Sequence, residues 1–86
     1  MNQAILFPEL ERWSDELQQV VFPAMAQGMR IECRIGLHAL GVRAGCLVAP
    51  EQALAIFRQW RWDIEEEAEE AIRQDAFDDL GMIHLQ

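Results

Sequence analysis

QVVFPAMAQGMRIECRI, residues 19–35, decides how this chain folds. Met29, Ile31, Cys33 and Ile35 alternate with Arg30, Glu32 and Arg34, the two-residue period of a strand with one buried face. Ahead of them, Gln27-Gly28 reads as a two-residue hairpin loop in which glycine supplies a positive φ. That loop sets a register. Ala26 faces Met29, Ala24 faces Ile31, Phe22 faces Cys33 and Val20 faces Ile35, so these residues share a core face. The other face sets Val21 against Arg34, Pro23 against Glu32 and Met25 against Arg30. Pro23 has no N–H for a ladder, so its strand is expected to kink there or to lie at an edge.

On the N-terminal side, QAILF (3–7) is a short apolar run closed by Pro8 and predicts a strand. ELERWSDELQ (9–18) is mostly polar, with Trp13 as its large apolar anchor, and predicts a loop or wide turn. On the C-terminal side, GLHALGVRAGCL (36–47) has helical spacing at Leu37, Leu40 and Ala44 but three glycines. Each interior glycine costs up to about 1 kcal/mol relative to alanine, so a short, weak helix ending near Gly45 is expected. Pro50 and Glu51 then mark a helix start. From Pro50 to Ala76 the residues Ala53, Phe57, Trp60, Ile64, Ala68 and Ala71 form one apolar stripe, predicting a single long helix. Phe77 leaves the stripe, DDLG (78–81) reads as a turn and MIHL (82–85) as a last short strand.

The expected fold class is therefore α+β. An antiparallel β-meander of three to four strands (3–7, 18–26, 29–35 and 82–85) packs against a long C-terminal helix, with a short helix between. Eighty-six residues, 51% of them apolar, suit one domain and one modest core.

The net charge of −8 is unevenly placed. Residues 1–43 hold five acids and four arginines, a net of −1; residues 44–86 hold ten acids and three arginines, a net of −7. Such acidity disfavours nucleic acid and anionic membranes as partners. No apolar stretch approaches the roughly 18–20 residues of a membrane span. MNQAILFPEL lacks the basic region of a signal peptide, so the expected location is cytoplasmic, with Cys33 and Cys46 as free thiols.

Catalytic side chains are scarce. The chain has no Lys, Thr or Tyr, and Ser14 is its one serine. His38 and His84 stand apart, with no cysteine at a ligand spacing, so no metal and no cofactor are expected. IEEEAEEAI puts Glu65, Glu66, Glu69 and Glu70 opposite the apolar stripe, as a solvated face or a surface for a basic partner; a carboxylate metal site would need a companion Glu-x-x-His or a second inward-facing acidic helix, and neither is present. Trp62 projects about 180° from Ala53 on a straight helix. It either marks an interface or packs under a loop or a bent helix, with an arginine on its ring.

The pieces AILFPELERWSDELQQVVFPAMAQGMRIECRI, FRQWRWDIEEEAEEAI and FDDLGMI together resemble a small bacterial family, number fourteen-eighty-eight of the domains of unknown function. The resemblance spans nearly the whole chain and rests most on Phe22-Pro23-Ala24, on Gly28 with Ile31 and Cys33, and on Arg61-Trp62-Asp63-Ile64-Glu65. It implies a compact α+β domain with a β-meander on helices, and it brings no activity. The glycine-rich middle departs from the family pattern, as does Met82, at a position where the family tends to carry Trp.

The function expected is a non-enzymatic protein-interaction or regulatory module. Its partner would be a protein, contacted through Trp62, Glu65, Glu66, Glu69 and Glu70, or through the outer hairpin face at Val21 and Met25. The chain itself is expected to be a monomer or weak homodimer. Two alternatives compete: a small enzyme or ligand carrier using Cys46 and His38, and an acidic mimic of nucleic acid.

Overall fold

A computed structural model describes residues 4–86. Its elements in chain order are β1 (Arg12–Ser14), β2 (Gln19–Ala26), β3 (Met29–Gly36), α1 (Leu37–Ala44), a 3-10 turn (Pro50–Gln52), α2 (Ala53–Gln59), α3 (Arg61–Arg73) and β4 (Ile83–Leu85). The strands form one sheet in the order β1-β2-β3-β4, and the helices cover one side of it, an α+β fold. Among the described residues no helix is long and apolar enough to cross a membrane.

The hairpin has the expected register at every pair, from Ala26↔Met29 to Val20↔Ile35. Gln27 (φ 53) and Gly28 (φ 77) are both left-handed, the twist that a two-residue loop needs to match its strands. Gly45 (φ 75) closes α1, and its N–H donates to the Gly41 carbonyl.

Four expectations are corrected. Of the strand expected at 3–7, residue 3 lies outside the described residues, and Leu6 makes only an isolated bridge to Met25. The first strand is instead Arg12–Ser14, inside the stretch read as a loop, where Arg12 pairs with Val21. Pro23 explains the gap between these two contacts. Met25 exchanges both its backbone hydrogen bonds with Leu6, so Pro23, two residues away, aims its missing donor at the same edge. The edge segment bows out there, between Leu6 and Arg12, and a central strand tolerates its proline.

The long helix is likewise divided, at Trp60 (φ −107, ψ 21), and ends at Arg73. No glycine or proline stands at the break; Arg58 and Arg61 flank it, and both bind Glu11, so a tertiary contact coincides with the interruption. Finally, β4 lies parallel to β3, with Cys33↔Ile83 to Ile35↔Leu85, so the sheet is antiparallel only in its first three strands. The helices between β3 and β4 return the chain across the sheet, the connection that parallel pairing requires.

The core lies between the sheet and the helices. Val20, Ala24, Cys33 and Ile35 meet Leu40, Ala53, Phe57, Ile64, Ala68 and Ile83, all fully buried. Phe22 and Phe57 are the centre, with ring centroids 4.9 Å apart. Each large apolar side chain removed from water in this way contributes about 1.5–3 kcal/mol.

Candidate functional site

The first turn of α3 presents Trp62 to solvent with 85% of its surface exposed. The alternative of an indole packed under a loop is thereby overturned. Trp60, two residues earlier, turns inward and is half-buried against the core. Glu66 and Glu70 follow Trp62 at four-residue steps along one side of the helix, and both are exposed. Glu70 accepts a hydrogen bond from the Gln74 amide at 2.6 Å, while Glu66 has no ion-pair partner among the described residues.

The platform beneath Trp62 is fixed from the far end of the sequence. Glu11, just ahead of β1, accepts from Arg61 Nη2 at 2.6 Å and from Arg58 Nε at 2.9 Å, both through Oε2. The Glu11 side chain is only 5% exposed. Burial alone would raise its pKa, but the hydrogen bonds from Arg61 and Arg58 outweigh it and hold the carboxyl at about 2. Arg61 also lies 5.3 Å from the centroid of the Phe57 ring and reaches Glu65 Oε2 at 3.4 Å. Helix start, helix break and edge strand are thus tied at one point.

That network changes the reading of the acidic face. Glu65 belongs to it rather than to open water; burial raises its pKa, with Arg61 opposing. Glu69 pairs with Arg73 at 3.1 Å, and Glu67 pairs with Arg43 of α1. Of the four glutamates expected on a free face, Glu66 and Glu70 are open while Glu65 and Glu69 are half-buried and paired.

The hairpin's outer face is corrected too. Val21 is 5% exposed, because Arg12 lies across from it on β1 and Leu10 and Pro23 border it. Met25 is half-buried and bound to Leu6 through its backbone. Trp62, Glu66 and Glu70 share one exposed stripe of α3, whereas Val21 is buried and Met25 half-buried on β2. Sequence reasoning missed Glu11. The i,i+3 spacing of Arg58 and Arg61 was a visible signal for a shared anion, but nothing local pointed to position 11.

Cys46 and His38 border the same depression, about 550 Å³, beside the exposed Leu47 and Val42. Among the described residues no hydrogen bond joins them, so the nucleophile–base contact that a cysteine enzyme needs is not formed. Cys33 is buried, and burial, followed by the charge of Glu32, pushes its thiol up to about 12. Among the described residues no group of three or more His, Cys, Asp or Glu is placed to hold a metal ion.

A family model described as "Protein of unknown function (DUF1488)" matches residues 5–85. The chain is 48% identical to the uncharacterized protein YrdB of Escherichia coli (strain K12) over 86 residues, covering 99% of both chains. It is 46% identical to the uncharacterized protein YrdB of Shigella flexneri, again over 99% of both. Among solved structures it resembles a DUF1488-family protein of unknown function from Shewanella loihica PV-4. There the TM-score is 0.90 at 45% identity, with 99% of this chain and 94% of the other covered.

Proposed function

Because the chain belongs to the DUF1488 family, whose description carries no activity, we propose from its own surface that it is a non-enzymatic protein-interaction or regulatory module. The observation that carries this reading is Trp62, 85% exposed on a helix whose base is locked by Glu11, Arg58 and Arg61. Tryptophan is enriched among the residues that anchor interfaces, and a rigid support lowers the ordering cost of binding through it. Glu66 and Glu70 on the same stripe favour a protein partner with an apolar pocket rimmed by lysine or arginine. We place the protein in the cytoplasm, a reading supported by its two free thiols.

The test is photo-crosslinking in cells from a benzophenone amino acid at position 66. One discrete adduct is expected, lost on Trp62→Ala and weakened on Glu70→Arg. An adduct pattern indifferent to Trp62→Ala would overturn the reading.

A further inference from the structure

The far end of α3 carries a second surface, about 15 Å from Trp62 by the helical rise over ten residues. The hairpin loop and the turn after α3 enclose a hollow of about 570 Å³ there, floored by Ala26, Ile31 and Ile72. Around it stand Leu80, 80% exposed, Met29, 68% exposed, and the partly exposed Phe77. Single exposed apolar residues are ordinary; three converging on one concavity mark a contact surface.

Two charges of opposite sign border the same hollow: Asp75 after α3, and Arg30 of β3, which alternates with Met29 and Ile31 and so stands at the sheet end, bordering the outer-face depression beside Pro23 and Glu32 as well. Neither makes a side-chain hydrogen bond or ion pair among the described residues, whereas Arg43, Arg58, Arg61 and Arg73 of the helical layer are all paired. An apolar patch with one free cation and one free anion on its rim is complementary to itself. In a two-fold contact Arg30 of each copy can meet Asp75 of the other, giving two ion pairs, and Leu80 of each copy can enter the opposing hollow.

We propose that this face is a two-fold homodimer contact, distinct from the Trp62 surface. Three apolar side chains cannot supply the ~800 Å² per partner of a standard interface, so the dimer is weak, dissociating in the micromolar range or above.

Sedimentation equilibrium on the full chain, from about 5 to about 500 µM, reads it out, with thermal melting as the check that each variant folds. The apparent mass should climb from one chain toward two. Leu80→Glu and Met29→Glu should each hold it at one chain. R30D sets Asp against Asp75 and D75R sets Arg against Arg30, so each should weaken the dimer by about tenfold or more. The R30D/D75R double variant should recover most of the loss, the signature of direct pairing. Because Asp75 is left-handed (φ 56), D75N, which suits that backbone, gives a second measure if D75R melts early. Added to R30D, it should relieve part of the repulsion. Trp62→Ala should leave the dimer intact, which keeps this contact separable from the partner surface. A chain that stays monomeric at the highest concentration overturns the proposal. So does a dimer that survives Leu80→Glu, or an R30D defect that neither D75R nor D75N relieves.

Discussion

The Glu11 carboxylate lies 2.6 Å from Arg61 Nη2, although 50 positions separate the two residues in the chain. It is the long-range ion pair that secures the edge of the sheet to the start of α3. Its second oxygen, Oε1, is buried without a partner among the described residues, so the ionised group depends on Arg61 and Arg58. Its pKa is lowered from 4.5 to about 2. A carboxyl whose pKa falls on folding contributes its full stability above its unfolded value. That contribution drains away as pH drops from about 4.5 through about 2. Glu11→Gln should cost about 2 kcal/mol at pH 7, and its urea midpoint should be less acid-sensitive than the parent's across that window. Parallel acid profiles for the two proteins would contradict the assignment.

Glu65 is expected to behave in the opposite way. Burial raises its pKa, with Arg61 working against it and the charges of Glu11 and Glu9 adding to the rise. A raised carboxyl pKa means that the ionised form is less favoured in the folded protein, so removing the charge relieves a cost at neutral pH. Glu65→Gln should therefore leave the pH 7 urea midpoint unchanged or slightly higher, within about 0.5 kcal/mol. A loss as large as that of Glu11→Gln would show that Glu65, not Glu11, is the principal anion for Arg61.

Gly41 offers a test in which helix propensity and packing disagree. Replacing a glycine inside a helix by alanine ordinarily gains up to about 1 kcal/mol. At position 41, however, a Cβ would stand 2.6 Å from the backbone carbonyl oxygen of Cys46, which cannot yield as a flexible side chain would. Gly41→Ala should destabilise by about 1–3 kcal/mol, measured by thermal or urea melting. A more stable variant would mean that the chain after α1 is free to move away.

The two thiols should separate cleanly by reactivity. Cys46 is exposed; Cys33 is buried, with its thiol pushed up to about 12 first by burial and then by Glu32. A chromogenic disulfide reagent at pH 8 should titrate one thiol per native chain quickly and the second only slowly, until denaturant is added and it reacts at once. Cys46→Ser should abolish the fast phase, and Cys33→Ser should leave it untouched.

What the sequence disclosed depended on the distance over which each decision is made. The hairpin was legible pair by pair because both strands keep a two-residue period and a single loop joins them, so Phe22↔Cys33 follows from local counting. α1 and its Gly45 cap were legible for the same reason. Arg12–Ser14 carries three residues and one large apolar side chain, too little pattern to distinguish a strand from a turn, and only the neighbouring β2 makes it one. The apolar stripe crosses Trp60 without interruption, so the break in the helix was invisible. At the candidate site, Trp62 could be placed on the outer side of its helix by angle alone. The pairing of Glu65 and Glu69 and the burial of Val21 could not be read in this way. They depend on which arginine reaches which carboxylate and on what lies across the sheet.

The pairing of β3 with β4 bears on the order in which the molecule comes together. Cys33 meets Ile83 about fifty positions later in the chain, and closing so long a loop costs roughly 3 kcal/mol more than closing a two-residue turn. The β2–β3 hairpin can therefore form early, while the pairing of β4 with β3 comes late. Ile83 is fully buried beside Cys33, so each detachment of β4 opens a brief path to an otherwise shielded sulfur. The slow labelling of Cys33 in native buffer thereby becomes a clock for the undocking of one strand.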